Sequence, residues 1–144
     1  MVDTNMLLRY INPDDPNYSL VNRAVESLLE NGDTLGFTPQ AMREACNVLT
    51  RPKISNGFGL VTKEVDIILE GIVGTFSFCD DIPGIAVERR RLVVDLNIQG
   101  VQVHDANHAA AAIQHGATKV LTLNYKDFDR FEPFGLEPIN PANI

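Results

Sequence analysis

The sequence predicts an α/β domain, a three-layer sandwich in which helices cover both faces of a mostly parallel sheet. Three observations carry that prediction. Short apolar runs alternate with longer segments whose apolar residues recur at helical spacing, the pattern of strand–helix units. The chain has 144 residues, one domain's length, with no repeat, no low-complexity tract and no interdomain linker, so residues 1–144 form a single domain. Apolar residues make up 44% and charged residues 22%, enough for a core that requires neither disulfide nor zinc.

The elements follow in order. Val2-Asp3 is a very short apolar entry. Tyr18 to Glu30 sets Leu20, Val21, Ala24, Val25, Leu28 and Leu29 at helical spacing, and Asn31-Gly32 ends the helix. Asp33 to Phe37 is a short strand. Thr38-Pro39 then supplies an N-cap and a first-turn proline for a helix running to Thr50. Arg51-Pro52 stops it, because the residue before proline is pushed away from helical angles. Lys53 to Gly59 is a loop with two glycines, and Thr62 to Gly71 is helical with Val65, Ile68, Leu69 and Ile72 on one stripe. Phe76 to Cys79 reads as a strand and Pro83 to Asn97 as a helix ended by Gly100. His104 to His115 is an alanine-rich helix with Gly116 at its C-cap. Lys119 to Leu123 is a strand, Asn124 to Phe131 a turn or short helix, and the proline-bearing tail a return strand at most.

Charge and cysteine usage narrow the function. Lys+Arg is 12 against Asp+Glu 19, a net charge of −7, which argues against a general nucleic-acid binder with a broad basic face. An enzyme that holds nucleic acid through metal ions and a local patch is still compatible. Cys46 and Cys79 form no CxxC, and with three scattered histidines they make no zinc cluster. No apolar run approaches the roughly 20 residues of a membrane span, and the start carries no signal-peptide pattern. A reducing cytoplasmic location without membrane contact is the expectation.

In open parallel sheets, sites form beyond the carboxyl ends of the strands. Asp3 follows the first strand, Asp105 opens the alanine-rich helix, and Asn124 and Asp127 follow the last strong strand. Glu44 lies inside the Thr38–Thr50 helix on the side of Ala41 and Val48, which turns it inward. Singly, each has an ordinary explanation: a helix-dipole partner, a turn cap, a solvated end or a surface ion pair. Together, at one end of the sheet, they repel. Like charges ~4 Å apart cost roughly 4 kcal/mol per pair at an effective dielectric near 20. Protonation or a divalent cation relieves that repulsion, and oxygen-only ligands favour Mg²⁺ or Mn²⁺. The chemistry suggested is metal-assisted hydrolysis of a phosphodiester.

The same residues resemble a known family. Asp3-Thr4-Asn5 followed by Met6-Leu7-Leu8 resembles the opening "DTNxLL" of PIN domains, metal-dependent nucleases that include toxins of the VapC type. Glu44 in Arg43-Glu44-Ala45-Cys46-Asn47-Val48-Leu49 resembles the family's second acidic position, and Asp105 before an alanine-rich helix resembles the third. A glycine, a strand ending in threonine (Leu121-Thr122) and a closing Asp127-Phe128 complete the order, so the likeness spans Val2 to about Phe131. It implies a five-stranded parallel sheet, Mg²⁺ or Mn²⁺ dependence and endonucleolytic cutting of RNA that leaves a 5′-phosphate. By carry-over, Asp3 and Asp105 are metal ligands and Glu44 is a further one, directly or through water. Asp127 is a fourth acidic candidate. Asn5 and Thr122 orient carboxylates or waters. An antitoxin protein and a homodimer are the implied partners.

Two departures stand out. The family's fourth acidic position often falls two residues after the strand threonine, where this chain has the neutral Asn124. Asp127 either replaces it or belongs only to the Asp-Phe element, and a one-metal site is favoured over a pair. Only Met1 and Val2 precede Asp3, so either the central strand is very short or the start lies upstream. Lys119, Lys126 and Arg130 are the candidates for RNA contact. Arg89-Arg90-Arg91 fans over a helix, as a solvated face or a guide for phosphates, and His104 and His108 share the Asp105 helix at i, i+4. A PIN-like module that binds RNA or protein with weak or no catalysis is the alternative reading.

Overall fold

The computed structural model describes residues 1–144. Seven α-helices and four short strands alternate: α1 (Thr4–Tyr10), α2 (Tyr18–Glu30), β1 (Gly36–Phe37), α3 (Pro39–Thr50), α4 (Thr62–Thr75), β2 (Ser77–Phe78), α5 (Pro83–Asp95), α6 (Gln102–Gln114), β3 (Lys119–Leu121), α7 (Tyr125–Phe128) and β4 (Glu137–Ile139). No helix is long and apolar enough to cross a membrane.

The expected α2 matches at both ends, and α3 starts where its capping residues place it. The Thr38 hydroxyl accepts from the Ala41 amide at 3.1 Å, filling one of the orphan donors of the first turn, and Pro39 needs no donor there. Gly116 sits at φ +73°, a left-handed conformation that ends α6. Helix α4 runs four residues beyond Gly71, through Gly74. Helix α1 is additional, since the sequence reading places no element between Asp3 and Tyr18. The Asp3 carbonyl opens it by accepting from the Met6 and Leu7 amides, and Met6 and Leu7 are fully buried.

The five-stranded sheet is corrected by the structure. There are two two-stranded parallel sheets, β1 with β2 and β3 with β4, and the first three residues lie between them. Val2 donates to the Gly36 carbonyl at 2.7 Å, the Leu121 amide donates to Met1 at 2.8 Å, and Asp3 donates to Leu121 at 3.1 Å. Val2 forms an isolated parallel bridge with Leu121. The reason is the length of that central segment: Asp3 already opens a helix, so too few residues are extended to make a continuous ladder.

Alternation across this thin strand layer divides the core in two, as successive strand side chains point to opposite faces. Met1 and Val120 join the α5, α6 and α7 side with Ile85, Leu92, Phe128 and Phe131. Val2 and Leu121 join the α1–α4 side with Met6, Val21, Phe37 and Ile72. Ala109, Ala110, Ala111 and Ala112 are all fully buried, and their small side chains let α6 lie close against α5. Helices therefore cover both faces, and the carboxyl ends of the strands share one edge.

Candidate active site

Asp3 is the pivot. It caps α1 in extended conformation, yet its side chain makes no capping bond to the helix. The carboxylate is buried and held elsewhere. Thr122, just past β3, donates from Oγ1 to Asp3 Oδ2 at 3.0 Å, and Asn5 Nδ2 reaches the same oxygen at 3.4 Å. The Thr122 hydroxyl in turn accepts from the Asn124 amide at 3.0 Å, so the turn after β3 is tied to Asp3.

Asp105 occupies the first turn of α6 and Asp127 that of α7. Asp105 feels both neighbours. Burial pushes its carboxyl above the ordinary aspartate value, and the charges of Asp3 and Asp127 push it further, against weaker relief from His108 and Arg130. Asp3, Asp105 and Asp127 thus share one local field. Asp127 lies 3.7 Å from Arg130, whose other nitrogen donates to Gln102 Oε1 at 2.9 Å.

Glu44 is in a different setting. Thr4 donates to its Oε2 at 2.6 Å and Gln40, one turn earlier on α3, donates to its Oε1 at 2.7 Å. His108 Nε2 stands 3.7 Å from Oε2 and His104 Nδ1 4.0 Å from Oε1. Burial alone would raise this carboxyl, but the approach of His108 and the bonds from Thr4 and Gln40 outweigh it and hold the pKa at about 2. Thr4 has one hydroxyl proton and gives it to Glu44, so its lone pair faces His108 Nε2 at 3.3 Å. His108 is buried and its Nδ1 has no partner. A proton on Nε2 satisfies the contact with Thr4. The network continues outward: Asn107 donates to Gln40 Oε1 at 2.6 Å and Arg89 to Asn107 Oδ1 at 2.8 Å.

Asp3 and Asp127 therefore lie within range to act on the charge of Asp105, with Asn5 and Thr122 holding Asp3 and Asn124 behind Thr122. Glu44 joins them through Thr4, the residue after Asp3, and through His108, one turn after Asp105. Lys119 does not join them. It begins β3, at the opposite end from Thr122, and lines a cavity of about 180 Å³ with Met1, Asp33 and Leu35. Lys126 is exposed on α7 beside Asp127. Sequence reasoning missed Thr4, Gln40 and Asn107, and left His108 open between a place behind the site and the exposed surface. The available signals were the i, i−4 spacing of Gln40 to Glu44 and the one-turn spacing of His104 and His108 on the Asp105 helix.

No group of three or more His, Cys, Asp or Glu side chains stands in place to hold a metal ion. The donor chemistry nonetheless fits a hard cation. Mg²⁺ commonly keeps several waters and uses only one or two carboxylates, and a carboxyl raised by two like charges is what a divalent ion would relieve.

An α/β domain with helices on both faces of short parallel strands, and acids at the strands' carboxyl ends, belongs to the class that places polar chemistry on that edge. Within that class the chain belongs to the PIN domain family, whose profile matches residues 1–132. No curated protein matches it. Among solved structures it is similar to VapBC2 from Rickettsia felis bound to a DNA fragment from the promoter, at TM-score 0.72 and 21% identity, covering 97% of this chain and 96% of that one. VapBC-1 from nontypeable Haemophilus influenzae follows at 0.69 and 17%, covering 99% and 97%. FitAcB from Neisseria gonorrhoeae stands at 0.64 and 19%, covering 99% and 98%. At these identities the likeness is one of fold.

Proposed function

We propose that the protein is an endoribonuclease dependent on Mg²⁺ or Mn²⁺, with Asp3 and Asp105 as direct ligands and Glu44 completing the site through water. Asp127 supplies further negative charge from α7. The observation that carries this reading is the buried Asp3 carboxylate, held past the end of β3 by Thr122 and Asn5 and close enough to Asp105, with Asp127, to raise its carboxyl. When bound, the ion would activate water and offset charge on the phosphodiester under attack. The chain's own residues do the rest. Thr122 and Asn5 fix the Asp3 carboxylate, Asn124 fixes Thr122, and Thr4 with Gln40 fixes Glu44 in its ionised form. Neutral Asn124, exposed beyond β3, favours one ion over two.

The assembly side of the proposal rests on the likeness to the VapBC and FitAB structures. On that likeness we propose that the chain is the toxin partner of an antitoxin protein; the homodimer and the cytoplasmic location belong to the proposal through the family resemblance alone. The absence of any three-ligand cluster favours a second reading, a PIN module that binds RNA or protein without cutting it. One experiment separates the two. Labelled single-stranded RNA is incubated with the protein and Mg²⁺ or Mn²⁺, with EDTA and Asp105→Asn as controls. Cleavage abolished by either control supports the nuclease; no cleavage, or cleavage indifferent to EDTA, sinks it.

A further inference from the structure

A surface basin of about 360 Å³ adjoins Glu44, lined by Gln40, Arg43, Glu44, Arg89, His104 and Asn107. We propose that this basin is a nucleotide subsite, in which Arg43 and Arg89 hold a backbone phosphate of a single-stranded nucleic acid and His104 stacks on the attached base. The inference rests on the nuclease reading and names where the strand beside the cut lies.

Comparison with other cations around the site supports it, beginning with Arg9, which is committed to the Asn5 carbonyl and to Asp15. In a chain of net charge −7, a polyanion must be held by local groups. Arg130 is committed to Asp127 and Gln102, and Arg91 to Glu88 and the face of Phe134. Lys119 lies at the far end of β3. Lys126 sits beside the acidic Asp127 and Asp129 on the same exposed turn. Arg43 and Arg89 are different. Arg43 is exposed and has only a 4.0 Å approach to Asp81 at the outer rim. Arg89 bonds a neutral amide, Asn107, and keeps its full charge. The one acid in the basin, Glu44, has both oxygens occupied by Thr4 and Gln40.

Chemistry and connection point the same way. Guanidinium forks match phosphate oxygens, and an exposed imidazole is a stacking platform for an unpaired base. The hydrogen-bonded series Arg89–Asn107–Gln40–Glu44 fixes the basin rigidly to the acidic site. A strand whose reacting phosphate lies at Asp3 and Asp105 therefore has a neighbouring anchor on α3 and α5, not across the sheet at Lys119.

The test uses a short fluorescein-labelled single-stranded RNA. Affinity is measured by anisotropy over a range of salt, with Asp105→Asn as the background to prevent cutting. Arg43→Gln with Arg89→Gln should weaken binding about tenfold and flatten the log K against log salt slope by about 0.7, the value for one phosphate contact on a single strand. Arg43→Lys with Arg89→Lys should restore the slope. The charge-matched pair Arg23→Gln with Lys63→Gln, on exposed faces of α2 and α4, should leave it unchanged. On the wild-type background the glutamine pair should raise KM and leave kcat nearly constant. Active wild type whose RNA affinity, salt slope and KM ignore Arg43 and Arg89 overturns the subsite and leaves the nuclease standing. Inactive wild type that still needs these arginines to hold RNA overturns the nuclease and leaves the subsite.

Discussion

The two sides of the acidic site treat a half-buried carboxylate in opposite ways. On the α3 side, Glu44 meets donors: Thr4 on one oxygen, Gln40 on the other and His108 behind them, and its pKa falls to about 2. On the α6–α7 side, Asp105 meets burial and the charges of Asp3 and Asp127, and its pKa rises. Burial pushes both upward, so depth does not separate them; the neighbours do. Glu44 is stable as an anion without help. In Asp105 the charged form is held at a disadvantage, which a cation would remove. A fold that only needed to be stable would replace the second arrangement and keep the first.

The largest effect expected from breaking this contrast is on turnover. Asp105→Asn or Asp3→Asn should lower RNA cleavage by more than the roughly 10–100-fold that losing a supporting partner costs a metal site. Either should also abolish Mn²⁺ binding by calorimetry. A mutant that binds Mn²⁺ like wild type would show that the Asp105 side is not the ion's place. Next comes the donor side. Thr4→Val removes the hydroxyl that links His108 to Glu44, and should reduce Mn²⁺ affinity or turnover by about 10–100-fold while the protein stays folded. Unchanged values would mean that holding Glu44 in place is unimportant for the site.

Smaller effects appear in metal-free stability, and their signs are opposite. Glu44 titrates near 2 in the folded protein against 4.5 ordinarily, so its contribution is present above pH ~4.5 and is lost as pH falls through about 2. Asp105 is raised above its ordinary 3.8, so its contribution is full below that value and is lost as pH rises through the folded pKa. At pH 7 without metal, Asp105→Asn should therefore raise the melting temperature, and Glu44→Gln should lower it. Each shift should lie in the few-degree range usual for single substitutions in a domain of this size. At pH 3 the Asp105→Asn gain should shrink. Shifts of the same sign at pH 7 would erase the distinction between the two sides.

The helices that carry these acids were legible in the sequence because their ends are chemically marked. Thr38-Pro39 starts α3 and Gly116 closes α6, and those signals are local. Helix α1 was not legible. It is seven residues long, shorter than the window in which helical period can be read, and it follows the strand residue Asp3 with no break. The five-stranded sheet was over-read for a related reason: strands of two or three residues show no alternation, and their pairing depends on segments far apart in the chain. Asp3, Glu44 and Asp105 were visible as an ordered set of acids. Their unlike settings were not, because Glu44's key partners Thr4 and His108 lie 40 residues before it and on a helix more than 60 residues after it. Only contact distance reveals those.

The mildest test adds charge where the chain has none. Asn124 is exposed just past Thr122, and its amide already ties to the hydroxyl that holds Asp3. Asn124→Asp keeps that backbone bond and places a fourth carboxylate on the crowded side. An exposed charge acts through well-screened solvent, so its effect on a bound ion is about 1 kcal/mol or less, up to roughly fivefold in Kd for Mn²⁺. The same carboxylate should depress the metal-free melting temperature slightly by adding to the repulsion around Asp105. The two shifts belong together, because both come from one field: tighter ion binding and a less stable empty protein. If Asn124→Asp changed neither, the field at Asp105 would end before the turn after β3, and the crowded side of the site would consist of Asp3, Asp105 and Asp127 alone. If it tightened Mn²⁺ and raised the stoichiometry from one ion to two, the neutral residue would be what restricts the wild-type centre to a single cation.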